Sequence, residues 1–131
     1  MILPKEGIFV FGSNTAGRHG AGAAYVALIK FGAIPGQGVG LQGRSYGIPT
    51  KDHKLRTLPL YTVRHYVDRF KNFALEYPDL EFFITRIGTG LAGYNDEDIA
   101  PLFIGSPENC IFDIEWKSYI TGMRYFKGEL K

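Results

Sequence analysis

The stretch Ile8-Phe9-Val10-Phe11-Gly12-Ser13-Asn14-Thr15-Ala16-Gly17-Arg18-His19-Gly20-Ala21-Gly22-Ala23-Ala24 passes from four apolar β-formers, through a glycine-rich loop, into a run of small residues. Its first four residues show no polar alternation, the mark of a strand buried on both faces, and Gly12 ends it. From 21 to 31, Ala21, Ala24, Leu28 and Phe31 recur at i, i+3, i+7 and i+10. That spacing predicts a helix with one apolar face, stopped by Gly32. A strand delivered through glycines into a helix leaves the first helical N–H groups unpaired at the positive end of the helix dipole. This is the physical requirement for cradling a phosphate. The same glycines also admit a purely structural reading, as tight turns and close packing.

Working outward, 33–43 reads as a loop and Ser45-Tyr46-Gly47-Ile48 as a weaker strand ended by Pro49. Leu60, Val63, Val67, Phe70 and Phe73 form the clearest amphipathic helix, with Thr57 and Pro59 before it and Pro78 after it. Residues 81–87 read as a strand ended by Gly88. A short helix is expected from Asn95 or Asp96, because Asp96, Glu97 and Asp98 suit a first helical turn. Residues 110–114 read as a further strand, and 117–131 carry no assignable pattern. Strands alternating with helices at these lengths predict an α/β fold, a mainly parallel sheet with helices on its faces, in a single domain over 1–131.

Composition narrows the function. The 131 residues are 45% hydrophobic and 21% charged, with a net charge of +2. This is globular composition, and it argues against a nucleic-acid wrapper without repelling a small anion. No apolar run approaches the ~18 residues of a membrane span, and Met1 to Glu6 show no signal-peptide core. The lone Cys110 cannot form an internal disulfide, which fits the reducing cytoplasm. Glycine is the outlier, at 17 residues, nearly twice the usual ~7%.

A second glycine loop, Ile87-Gly88-Thr89-Gly90-Leu91-Ala92-Gly93, also follows a strand and precedes a predicted helix. Two such loops at the carboxyl ends of strands suit a diphosphate. No P-loop motif occurs. Residues 38–43 match G-x-G-x-x-G, but before a strand instead of between a strand and a helix, which is the wrong context for a dinucleotide fingerprint. His19, His53 and His65 have no metal-like spacing, so no metal site or cofactor is expected, and Cys110 reads as a small core residue. His19 is expected to be solvent-exposed, with ligand contact as the alternative. Arg18 and Arg86 are candidate phosphate cations or ordinary surface charges. Tyr94 and Trp116 are candidates for stacking on a base, with ordinary packing as the preferred reading.

His19-Gly20-Ala21-Gly22-Ala23-Ala24 and the helix after it resemble the first binding loop of macro domains, most closely the branch that removes ADP-ribose from acidic side chains. Arg86-Ile87-Gly88-Thr89-Gly90-Leu91 is similar to the second, R-I-G-x-G-L loop of that superfamily, and Ile48-Pro49-Thr50-Lys51 falls at its strand-end I-T-K segment. The order and spacing agree from about Ile8 to Trp116, and small phage-type proteins show a similar arrangement. The resemblance implies a three-layer α/β/α sandwich around a mixed sheet, and ADP-ribose or a related nucleotide as ligand, with an ADP-ribosylated protein as the wider partner. It implies ligand-binding roles for Asn14, Gly20, Ala21, Gly22 and Ala23, and for Gly88, Thr89, Gly90, Leu91 and Ala92. Lys51 matches the lysine that attacks the sugar in the hydrolases. Two departures stand out. The family's first strand, with a Gly-Asp pair that reads adenine, has no counterpart before Ile8, and Ala92 stands where the hydrolases place a carboxylate. The resemblance therefore implies a binding module first and a Lys51-dependent ADP-ribosyl hydrolase second. A partner-binding protein that kept only the fold is the third reading.

Overall fold

Strand β1 (Gly7–Asn14) buries alternate side chains in two separate cores. Ile8 and Val10 join Tyr46, Ile48, Phe82, Ile84, Cys110 and Phe112 on one face. Phe9 and Phe11 join Phe83, Ile111 and Phe126 on the other. The period-2 geometry of a strand requires this split, and an all-apolar run is what satisfies both sides. The structure is a computed structural model describing residues 3–127; residues 1–2 and 128–131, the ends of the span expected as one domain, lie outside the described residues.

After β1 come α1 (Gly22–Lys30), β2 (Gly40–Gln42), β3 (Ser45–Lys51), α2 (Leu60–Glu76), β4 (Glu81–Ile84), α3 (Asp96–Ile99), β5 (Cys110–Asp113) and β6 (Arg124–Phe126). The six strands form one sheet in the order β2-β3-β1-β4-β5-β6. All neighbours are parallel except β2 and β3. Helix α1 covers one face through Ala24 and Ala27. Helix α2 covers the other through Val63, Val67, Phe70 and Ala74, next to Ile99 of α3 and the 3-10 turn Ala100–Phe103. The architecture is a three-layer α/β/α sandwich. No helix of the described residues is long and apolar enough to cross a membrane.

Several boundaries differ from the sequence reading. The buried face of α1 is Ala24 and Ala27, not Leu28, because Ala21 is extended and lies before the helix. The 33–43 loop contains β2, a hairpin partner of β3, so the G-x-G-x-x-G match is a strand and its turn. Strand β3 continues through Pro49 to Lys51. Beyond Gly47 the β2 pairing has ended, and an edge position tolerates proline's missing N–H. Strand β4 stops at Ile84 and not at Ile87. Thr85 Oγ1 donates to Val10 O at 2.7 Å, and Ile87 N turns back to Thr85 O at 2.8 Å. Strand β5 ends one residue early, where the Asp113 carboxylate accepts from Glu115 N at 2.9 Å and starts the 3-10 turn Ile114–Trp116. The unassigned tail contributes β6, parallel to β5.

Helix α2 has no glycine at its end. The buried Asn109 Nδ2 takes over instead, donating to Ala74 O, Tyr77 O and Leu80 O at 3.0, 3.0 and 3.1 Å. Ala74 O and Tyr77 O also accept from Tyr77 N and Leu80 N at 3.3 and 3.1 Å, so the Asn109 amide ties together a turn that the backbone has already begun to close. Asn109→Ala is expected to cost about 1–3 kcal/mol, through the loss of the buried side-chain hydrogen bonds that join these three carbonyls. Asn109→Asp, which sets a carboxylate against them, should cost more. Urea unfolding of both variants checks this, and an aspartate variant as stable as the parent would contradict it.

Candidate functional site

The chain leaves β1 for α1 on one face of the sheet, and leaves β4 for α3 on the opposite face. β1 and β4 are neighbours, so their departing loops open a crevice at the carboxyl ends of the strands, the place where open α/β sheets take ligands. A cavity of about 680 Å³ lies there, within the ~300–1,000 Å³ range of small-molecule sites. Asn14, Gly20, Ala21, Gly22 and Ala23 line it from the first loop, Gly88, Thr89, Gly90, Leu91 and Ala92 from the second, and Lys51 from the end of β3. The structure thus brings these eleven sequence-predicted residues to one cavity. Arg18, Arg86 and Leu55 line it too.

The first loop is held by Asn14. Its Oδ1 accepts from Arg18 N at 2.9 Å and its Nδ2 donates to Arg18 O at 2.8 Å, closing the 14–18 turn from both sides. Gly17 has φ +70, and a Cβ there would collide with the backbone of Gly36 and Gln37. Ser13 Oγ donates to Gly38 O, binding the same loops together below the cavity. The chain then enters α1 at Ala21, an N-cap position with no side chain to cap it and no acidic residue in the first turn. Among the described residues the backbone amides of Gly22, Ala23 and Ala24 make no hydrogen bond, and Tyr25 N is the first to be paired. A serine or aspartate is the usual cap; with alanine, the donors stay uncapped on residues that line the cavity.

The second loop is shaped by its own backbone. Gly93 N donates to Gly90 O at 3.0 Å and Tyr94 N to Gly88 O at 2.8 Å. The amides of Gly90, Leu91 and Ala92 make no hydrogen bond among the described residues. Arg86 extends along this loop but is forked onto Asp96, with Nε to Oδ1 at 3.0 Å and Nη2 to Oδ2 at 2.6 Å. Asp96 also accepts from Trp116 Nε1 at 2.7 Å. The Arg86 bonds hold the Asp96 carboxyl below its ordinary range against the opposing effect of burial, and Trp116 adds to them. Arg86 therefore brings a compensated charge, whereas Arg18 and Lys51 form no ion pair among the described residues. Asp52, next to Lys51, is turned away onto Arg56 at 3.1 Å. No Asp or Glu among the described residues lines the cavity.

Other candidates fall elsewhere. His19 is buried, only 4% exposed, contrary to the expected exposure. The 33–42 segment folds over it, and its Nε2 faces Ile34 O, Gln37 O and Gln42 Oε1 at 3.0, 3.0 and 3.2 Å. Three acceptors around one nitrogen place the proton on Nε2, and the ring stands edge-on to Phe11. Trp116 cannot stack on a base: it is fully buried against Phe103 and Phe112. Tyr94 is half-buried outside the cavity lining, with its hydroxyl donating to Leu58 O at 2.5 Å. Cys110 is a buried core thiol, pushed up to about 12 by burial. Sequence reasoning missed Leu55 as a cavity residue; no motif marks it.

No protein-family model matches the chain, and no curated protein does. Among solved structures it is similar to a protein of unknown function from Bacteroides thetaiotaomicron, at 17% identity and a TM-score of 0.49, over 96% of this chain and 95% of that one. A likeness that distant assigns no function.

The Arg86–Asp96–Trp116 cluster makes stability depend on pH with a defined sign. Because the folded carboxyl is depressed, its contribution is fully present above the unfolded value of about 4 and is lost as pH falls through the lower folded value. Asp96→Asn should cost about 1 kcal/mol at pH 7, discounted for the exposed side of the pair. The gap to the parent should begin to narrow below about pH 4 and shrink steadily with further acidification. Urea unfolding of both proteins from pH 7 to 3 tests this; a gap that is constant or grows on acidification would contradict it.

Proposed function

We propose that the chain is a macro-type binding module for ADP-ribose or a closely related nucleotide diphosphate. The observation that carries this reading is the lining of the cavity. Two sets of residues whose backbone amides are unpaired among the described residues, one at an uncapped helix start, line it together with Arg18 and Lys51, and no carboxylate of the described residues lines it. Amide nests and helix starts favour phosphate oxygens over other groups. Gly20 and Gly90 add support. Neither has a positive φ, and a Cβ on either would meet no atom within 4 Å. Nothing in the protein's own packing calls for glycine there, whereas a phosphate approaching the backbone does.

The hydrolase reading draws on Lys51, half-buried in the cavity lining with no carboxylate partner among the described residues. It is second because an acid/base group is needed as well, and Ala92 occupies the relevant place. The reading that the chain kept only the fold and binds a protein partner comes third. For compartment, the single thiol of Cys110 suits the reducing cytoplasm.

Isothermal titration with ADP-ribose tests the first reading. The parent protein is expected to bind, and Gly20→Val and Gly90→Val should each lose at least tenfold in affinity, with stability changed by no more than about 1 kcal/mol. Arg18→Ala should weaken binding more at low salt than at high salt. Full affinity in both valine variants would reject the amide-cradle reading. For the second reading, borohydride reduction in the presence of ADP-ribose should leave an adduct on Lys51, as seen by mass spectrometry, if that amine reaches the sugar aldehyde.

A further inference from the structure

Two features of the cavity define what lies beyond the phosphates. The neutral polar side chains that line it are committed to the protein's own backbone. Ser13 Oγ donates to Gly38 O, Thr50 Oγ1 to Ser13 O, Thr85 Oγ1 to Val10 O and Thr89 Oγ1 to Arg86 O, and Asn14 is spent on Arg18. The cavity is far larger than a phosphate requires, yet the hydroxyl protons of these side chains are already donated to the backbone and are not free for the edge of a base.

The second feature is Leu55. Among the described residues it is the one residue other than glycine with a positive φ, at 62°, a conformation that disfavours leucine and suits Gly or Asn. The turn around it imposes that geometry. Asp52 Oδ1 accepts from Lys54 N and Arg56 N at 2.8 and 2.9 Å, and Leu55 N donates to Asp52 O at 3.0 Å. No packing within the protein offsets the strain, because Leu55 is 45% exposed and belongs to neither core. It does line the cavity, as does Leu91, which is 70% exposed. Their two segments are joined by Thr57 Oγ1 donating to Ala92 O at 2.8 Å. Two exposed leucines thus stand on one stretch of rim beside a cationic, amide-lined floor. Strain retained at a rim residue marks a functional constraint.

We propose that Leu55 and Leu91 form an apolar jaw for the flat face of a nucleobase, and that the site accepts nucleoside diphosphates irrespective of the base. This rests on the diphosphate-binding reading above. A ring face is apolar on every base, so a jaw of aliphatic carbons holds it without discriminating, while affinity for the charged part comes from the floor.

The test is titration of the parent, Leu55→Gly and Leu55→Asn with ADP, GDP, UDP, ribose 5-phosphate and inorganic pyrophosphate, with melting temperatures alongside. Both substitutions suit a positive φ, so neither should lower the melting temperature. The parent should bind the three nucleotides within about threefold of one another. Each variant should lose about tenfold for all three and nothing for pyrophosphate or ribose 5-phosphate, a loss in keeping with partial burial of one leucine. A preference above a hundredfold for one base, unchanged nucleotide affinity in the variants, or an equal loss for ribose 5-phosphate would overturn the proposal. A parent that binds pyrophosphate but no nucleotide overturns the jaw alone, and a parent that binds none of the five overturns the diphosphate reading with it.

Discussion

Strand β1 is paired on both edges, with β3 along Phe9–Asn14 and with β4 along Gly7–Val10, and its side chains enter the cores on both faces. This double constraint fixes the rest of the molecule. Because β3 and β4 lie on opposite sides of β1, the chain must cross β1 between them, and helix α2 makes that crossing. The loop leaving β1 then turns to one face while the loop leaving its neighbour β4 turns to the other. The crevice is a consequence of the strand order and needs no special device to open it.

What distinguishes the crevice is how its polar groups are disposed. Neutral side-chain donors are directed inward to hold the loops, so the backbone amides of the two loops and the cations Arg18 and Lys51 are left to line the cavity. Fixed amide dipoles need no reorganisation to receive an anion, and among the described residues no carboxylate lines the cavity to oppose one. The costs are concentrated in a few places. Gly17 and Gly38 allow backbones to approach where a Cβ would collide, an alanine stands at the helix cap, and Leu55 is held in a left-handed turn.

Much of this was legible in the sequence. The unbroken apolar run at Ile8–Phe11, ended by Gly12, read as a buried central strand, and two strand-to-glycine transitions located both loops of the cavity. Helix α2 was readable because its apolar spacing is regular over several turns. The short edge elements were not. β2 and β6 are three residues each, too short for a period to register, and they are specified by pairing with neighbours instead of by their own composition. His19 and Asn109 were opaque for a related reason, since a polar residue reads as exposed until the carbonyls that surround it are known. Trp116 follows a strand end in sequence and read as ordinary packing first and base stacking second; the 3-10 turn at Ile114–Trp116 sets it in the core, in line with the first. Leu55 lay outside sequence reasoning because its strain comes from hydrogen bonds to Asp52.

The central claim is that backbone amides of two loops bind phosphate. The most direct measurement is a titration of the ¹⁵N-labelled protein with ADP-ribose, followed by amide proton–nitrogen correlation spectra. The account predicts saturable shifts concentrated at Gly22, Ala23, Ala24, Gly90, Leu91 and Ala92, with the far end of the sheet around Glu108 and Gly122 unmoved. Saturable shifts that spare both loops, or spectra unchanged at millimolar ligand, would contradict it.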